Sequence, residues 1–171
     1  MKMLEILAQE MQQEAITTRK MLERIPEDRF DWQPHPKSMT MERLANHLAE
    51  IPGWVELTLT TDELDFARNP YVPTTYRTTK SLLSFFEDNL QEALDALNNA
   101  KEGQLSEPWA LRRGEMILSE GSRIEFLRQV FCQIVHHRAQ LGVYLRLLDV
   151  PIPGSYGPSA DELIAMEAAT N

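Results

Sequence analysis

The sequence predicts an all-α protein, a four-helix bundle with long connections and a short C-terminal helix. Three observations predict it. Four long stretches place apolar residues at steps of three and four. Prolines and other loop residues separate those stretches. Two serines each stand three residues before a glutamate at the head of a helical stretch, the capping-box arrangement. Residues 1–171 read as a single domain, long enough to bury a sizeable core.

The first helix spans residues 3–24 on the stripe Leu4, Leu7, Ala8, Met11, Ala15, Met21 and Leu22, and Pro26 ends it. The segment FDWQPHPKSMT, with prolines at 34 and 36, is an extended loop. Ser38 or Thr40 caps the second helix, and Glu42 suits the positive end of its dipole. Leu44, Leu48, Ile51 and Val55 form its apolar stripe, and Pro52 is expected to kink it. Residues 65–78 form a loop. The third helix runs from Lys80 to Ala100 on Leu82, Leu83, Phe86, Leu90, Leu94 and Leu97. Residues 102–121 are irregular or a short hairpin around Arg113-Gly114. The fourth helix opens on the Ser122–Glu125 capping box and continues through Phe126, Val130, Ile134, Leu141, Leu145 and Leu148 to Pro151. Ser159–Glu162 opens the terminal helix. The loops are longer than bundles need, which points to function or to packing over one end.

Composition narrows the function. Hydrophobic residues are 43% and charged residues 25%, the balance of a globular protein. The net charge is -9, so nucleic acid is a poor partner, and Arg112 and Arg113 are the only adjacent arginines. No stretch approaches the roughly 20 apolar residues of a membrane span, and the N-terminus lacks a signal-peptide pattern. One cysteine, Cys132, excludes an intrachain disulfide. A cytoplasmic location is the expectation.

The chemistry-bearing residues lie on the second and fourth helices. Gln133 and His137 are four apart, so they share a face, and they follow the stripe of Val130, Ile134 and Leu141 inward. His136 is rotated from His137 by about 100 degrees. His47 lies near the apolar face of the second helix, with Leu44, Ile51 and Trp54 at steps of three, four and seven. Two inward histidines on separate bundle helices can meet, and imidazole nitrogen ligates zinc, nickel or iron. A pair of hydrogen-bonded core histidines is the alternative on spacing alone. Glu50 is a supporting acceptor, a ligand or a surface residue. His35, between two prolines, reads as a solvated loop residue. Cys132 reads as a buried small apolar residue, since no base stands near it. Trp32, Trp54 and Trp109 close a core or wall a pocket. Arg138 reads as a structural ion pair, and Tyr156 as a packing residue with a tethered hydroxyl.

Two segments carry a resemblance. DWQPHPKSMTMERLANHLAE and HHRAQLGVYLRLLDVPIPGSYGPSADE are similar to segments of the DinB superfamily, the DinB/YfiT-like metalloenzymes. The second segment is the more specific. The resemblance implies an up-down-down-up four-helix bundle, often a homodimer. It also implies a divalent metal, nickel or zinc, held by one histidine of the second helix and an HxxxH pair of the last long helix. Carried over, the ligand positions are His47, Gln133 and His137. Gln133 stands where the family has histidine, and its neutral amide oxygen is a weaker donor than imidazole. The site then holds metal weakly, recruits Glu50 or His136, or stays empty.

Three functions follow. The first is a thiol-dependent transferase or a hydrolase acting on a small molecule, with a low-molecular-weight thiol as cosubstrate, because a metal lowers the pKa of a bound thiol or water. The second is a metal-free binding module in which Gln133, His137 and His47 form a hydrogen-bond network. The third is a dimer that is itself the function, through an apolar face of the first or third helix.

Overall fold

A computed structural model describes residues 2–170. The first helix, α1 (Met3–Leu22), buries Leu4, Leu7, Met11, Ala15, Thr18, Met21 and Leu22 as the stripe requires. The next two, α2 (Met41–Glu50) and α3 (Gly53–Thr60), occupy the stretch expected to be one kinked helix. Pro52 has no N–H to give the ladder, so the helix ends at Ile51 and restarts. Thr40, not Ser38, caps α2, accepting from the Arg43 amide at 3.2 Å. Helix α4 (Thr79–Asn99) follows the expected bounds closely, and α5 (Arg123–Leu147) opens with the Glu125 carboxylate accepting from the Ser122 amide at 2.7 Å. At α6 (Ala160–Thr170) both halves of the Ser159–Glu162 box form, at 3.0 and 3.2 Å.

Helices α1, α2 and α3 all pack on α4 and α5 around one continuous core, which holds Leu22, Met41, Leu48, Leu82, Leu127, Leu141 and Leu145. The molecule is therefore mostly helical. Among the described residues no helix is long and apolar enough to cross a membrane.

The all-α expectation is corrected by a three-stranded sheet of order β1-β2-β3. Strands β2 (Pro108–Arg113) and β3 (Met116–Ser122) form an antiparallel hairpin with its turn where Arg113-Gly114 suggested. Strand β1 (Glu63–Asp65), inside what read as the approach to a loop, pairs parallel with β2. Three residues are too few to carry a period, and its partner lies more than forty positions away. Trp109 consequently sits on a strand, buried at 2% exposure, with Nε1 donating to Thr61 Oγ1 and its ring edge-on to Phe126.

Two ties fix this sheet beneath α5. Arg123, buried at the head of α5, donates to the carbonyls of Thr58 and Thr61 and to Asp62 Oδ1 at 2.9 Å. Asp65 Oδ1 accepts from the amides of Gly114 at 2.8 Å and Ala67 at 2.9 Å, and those two bonds hold its carboxyl below the usual range. Gly114 has φ +60°, a conformation that glycine adopts freely. Gly114→Ala is expected to lower the unfolding free energy by about 1–2 kcal/mol, measured by urea denaturation. No change would mean that the turn is not held in that conformation.

A buried charge joins the two ends of the chain. Arg138 on α5 is 1% exposed and donates to Glu14 Oε2 at 2.5 Å, to Thr18 Oγ1 at 3.3 Å and to the Tyr156 hydroxyl at 3.0 Å. Tyr156 donates in turn to Glu14 Oε1 at 3.0 Å. The ion-pair reading of Arg138 and the tethered hydroxyl of Tyr156 are met here, although the Tyr156 ring is largely exposed rather than packed.

Candidate functional site

The spacing of His47 and His137 brings their rings together, with centroids 4.7 Å apart and planes at 72°. His137 is buried, and Nδ1 lies 2.8 Å from Gln140 Oε1. An amide oxygen only accepts, so Nδ1–H donates and Nε2 keeps its lone pair. Burial lowers the His137 pKa, the Gln140 bond opposes that shift, and His47, His136 and Arg43 add to it.

His47 is held the same way by a carboxylate. Its Nδ1 lies 2.5 Å from Glu50 Oε1, and an ionised carboxylate only accepts, so Nδ1–H again donates. Glu50 is buried, not a surface residue. The same oxygen accepts from the Tyr71 hydroxyl at 2.5 Å, and Arg43 Nη1 stands 3.9 Å away. Burial, followed by the Glu50 carboxylate, pushes the Tyr71 hydroxyl up to about 12, so it stays a donor. Neither imidazole Nε2 has a hydrogen-bond partner among the described residues, and neither is sealed off from open space.

Two clefts meet at His47 and Trp54. One, of about 230 Å³, is walled by Ile51, Trp54, Trp109, Phe126, Val130 and Gln133. The other, of about 490 Å³, is walled by Arg43, Trp54, Phe66, Pro70, Tyr71 and Arg113. A separate groove of about 520 Å³ between α3 and α4 is lined by Glu56, Glu92 and Asp95 and has no imidazole. The histidine clefts are therefore the candidate site.

The remaining sequence candidates are placed as follows. Gln133 is exposed rather than inward, but it stands on the wall of the apolar cleft beside Gln129. His136 faces outward, its ring centroid 4.8 Å from that of His137. His35 is an exposed loop residue whose Nδ1 accepts from the Lys37 amide. Cys132, expected to be buried, is exposed, because it falls on the outer face of α5. Trp32 packs edge-on against Tyr144. Sequence reasoning missed Arg43 and Tyr71. Arg43, His47 and Glu50 fall at i, i+4 and i+7, a polar stripe legible in spacing, whereas Tyr71 reaches Glu50 from a loop and leaves no pattern.

A catalytic zinc-type centre takes three protein donors. Two imidazoles are present, and among the described residues no group of three His, Cys, Asp or Glu side chains converges on them. The neutral amide of Gln133 is the remaining nearby donor. The donor set thus falls short of a three-imidazole centre.

Comparison with known proteins places this geometry in a lineage. A DinB-like protein from Bacillus subtilis is 17% identical with a TM-score of 0.69, covering 87% of this chain and 96% of that one. A DinB-like protein from Bacillus cereus is 20% identical with a TM-score of 0.68, covering 89% and 97%. The mycothiol-dependent maleylpyruvate isomerase has the same fold at 14% identity and a TM-score of 0.56, covering 81% of this chain and 60% of that one. No curated protein sequence matches. The model of the DinB family matches residues 1–167. The chain belongs to the DinB family.

Proposed function

We propose that this chain is an enzyme of thiol-transfer type acting on a small molecule, with His47 as general base. One observation carries the reading: Glu50 orients His47 at 2.5 Å, and His47, whose Nε2 is unbonded among the described residues, lines both clefts. A carboxylate that fixes the tautomer and stabilises the imidazolium is what a general base needs. His47 takes the proton of the bound thiol, the thiolate sulfur bonds the electrophilic carbon, and the leaving group departs with the electron pair. The thiol is suggested by the mycothiol-dependent neighbour of the same fold. The reading treats the packed α1, α2–α3, α4 and α5 as the up-down-down-up bundle and residues 1–171 as one domain.

The test is the rate of conjugation of low-molecular-weight thiols to a chloroaryl electrophile. Catalysis that survives chelators and depends on Glu50 is expected. Catalysis unaffected by Glu50→Gln overturns the reading.

A second, metal-dependent reading has its own support. Both Nδ1 atoms are capped by acceptors, the arrangement that orients metal-ligating histidines. His47, Gln133 and His137 would then hold a zinc, nickel or iron ion. Gln133→His is expected to raise zinc affinity sharply, with the metal lost again in Gln133→His/His137→Ala, as read by elemental analysis. No gain would mean that position 133 does not reach the two imidazoles. A homodimer is part of the proposal as well. Exposed Val143 and Leu147 on α5 and Leu163, Ile164 and Met166 on α6 support it, and light scattering of the purified protein tests it.

A further inference from the structure

We propose that the cleft of Arg43 and Arg113 binds the carboxylate of a small amphipathic acid, whose apolar body lies past Trp54 in the neighbouring cleft. This names the substrate class of the site proposed above and rests on that reading of it.

Charge is the first ground. The chain carries 26 acidic residues against 17 basic ones, yet the 490 Å³ cleft has two arginines and a histidine on its walls and no carboxylate. Elsewhere arginines are engaged: Arg19, Arg77, Arg112, Arg123, Arg138 and Arg146 all donate to carboxylates within hydrogen-bond distance. Arg113 is exposed and has no hydrogen bond or ion pair among the described residues.

Arg43 is the second ground. Its guanidinium hydrogen-bonds no carboxylate among the described residues: it lies against the Tyr71 side chain, and its Glu50 ion pair, at 3.9 Å, is beyond hydrogen-bond range. Its Cζ lies 5.2 Å from the Tyr71 ring centroid, a cation–π contact that helps hold the side chain in place. Its Nη1 is buried without a partner. The other guanidinium nitrogens are not sealed and belong to a side chain on the cleft wall. A planar guanidinium fork on the cleft wall, with no carboxylate within hydrogen-bond distance, matches a carboxylate ligand.

Shape is the third ground. His47 and Trp54 line both clefts, so a ligand anchored at the arginines passes the imidazole before entering the apolar side. At about 230 Å³ that side is below the usual range for drug-sized ligands and suits a single ring or short chain.

The experiment is calorimetric titration of the full chain with phenylacetate, phenylacetamide and phenyl phosphate. Phenylacetate is expected to bind, with the amide at least about tenfold weaker, since one charge-assisted hydrogen bond is worth that much. Arg43→Gln and Arg113→Gln are each expected to weaken phenylacetate binding by about tenfold. Arg113 is exposed, so its variant keeps the test valid if Arg43→Gln fails to fold. Equal binding of acid and amide, no binding of phenylacetate, or no effect of either variant overturns the proposal. Tighter binding of phenyl phosphate overturns the carboxylate class. Phenylacetate binding without thiol conjugation leaves this inference standing and removes the catalytic reading, and the converse result does the reverse.

Discussion

His47→Ala is expected to cut thiol conjugation by about 10²–10⁴-fold, the range general-base catalysis contributes. In the proposed mechanism the variant removes the atom that takes the thiol proton while leaving both clefts open. Glu50→Gln is expected to cost less. A glutamine oxygen can still accept from Nδ1 and hold the ring, but it does not stabilise an imidazolium, and Tyr71 must then share a neutral partner. The two losses should not add in the double variant, because the residues act as one unit. A His47→Ala rate equal to wild type under saturating thiol would remove His47 from the chemistry. Raising the pH should partly restore that variant, since the thiol then ionises unaided.

The largest structural effect is expected at Arg138. Arg138→Met removes the only cation bonded, among the described residues, to the Glu14 carboxylate, whose side chain is 11% exposed. An uncompensated buried carboxylate costs about 3–5 kcal/mol. The Tyr156 hydroxyl still reaches Glu14, so the loop 151–159 stays docked but is less constrained. Glu14→Gln combined with Arg138→Met should recover much of the loss, since the double variant buries no charge. Urea unfolding of the three variants measures the cycle. A cost below about 1 kcal/mol for Arg138→Met, the level of an exposed pair, would mean that water reaches Glu14.

Much of the helical fold is legible because its signals are local. The α5 stripe from Phe126 to Leu145 and the two serine–glutamate boxes lie within a few residues of the backbone they organise, and each appears where expected. The meeting of His47 and His137 was legible too, since each lies on or beside the buried face of its helix. The sheet was not. Strand β1 exists because Glu63–Asp65 finds Ala110–Arg112, a pairing that no local period encodes. Everything that pairing places was hidden with it. It sets the start of the loop carrying Phe66, Pro70 and Tyr71, and it brings the Arg113 end of β2 to the same cleft. Cys132 misled for the opposite reason: a small apolar residue flanked by Phe131 and Gln133 gives no sign of facing outward.

The break at Pro52 separates two kinds of heritable change. Arg43, His47 and Glu50 precede it on α2, whereas Trp54 and Thr58 of the apolar cleft follow it on α3. In an unbroken helix, any insertion or tilt that reshaped the cleft would also swing the base away from its carboxylate. With the ladder interrupted, α3 can drift in angle or register while α2 keeps its three residues aligned. Descendants of this chain can therefore change what they accept without rebuilding how they handle a proton.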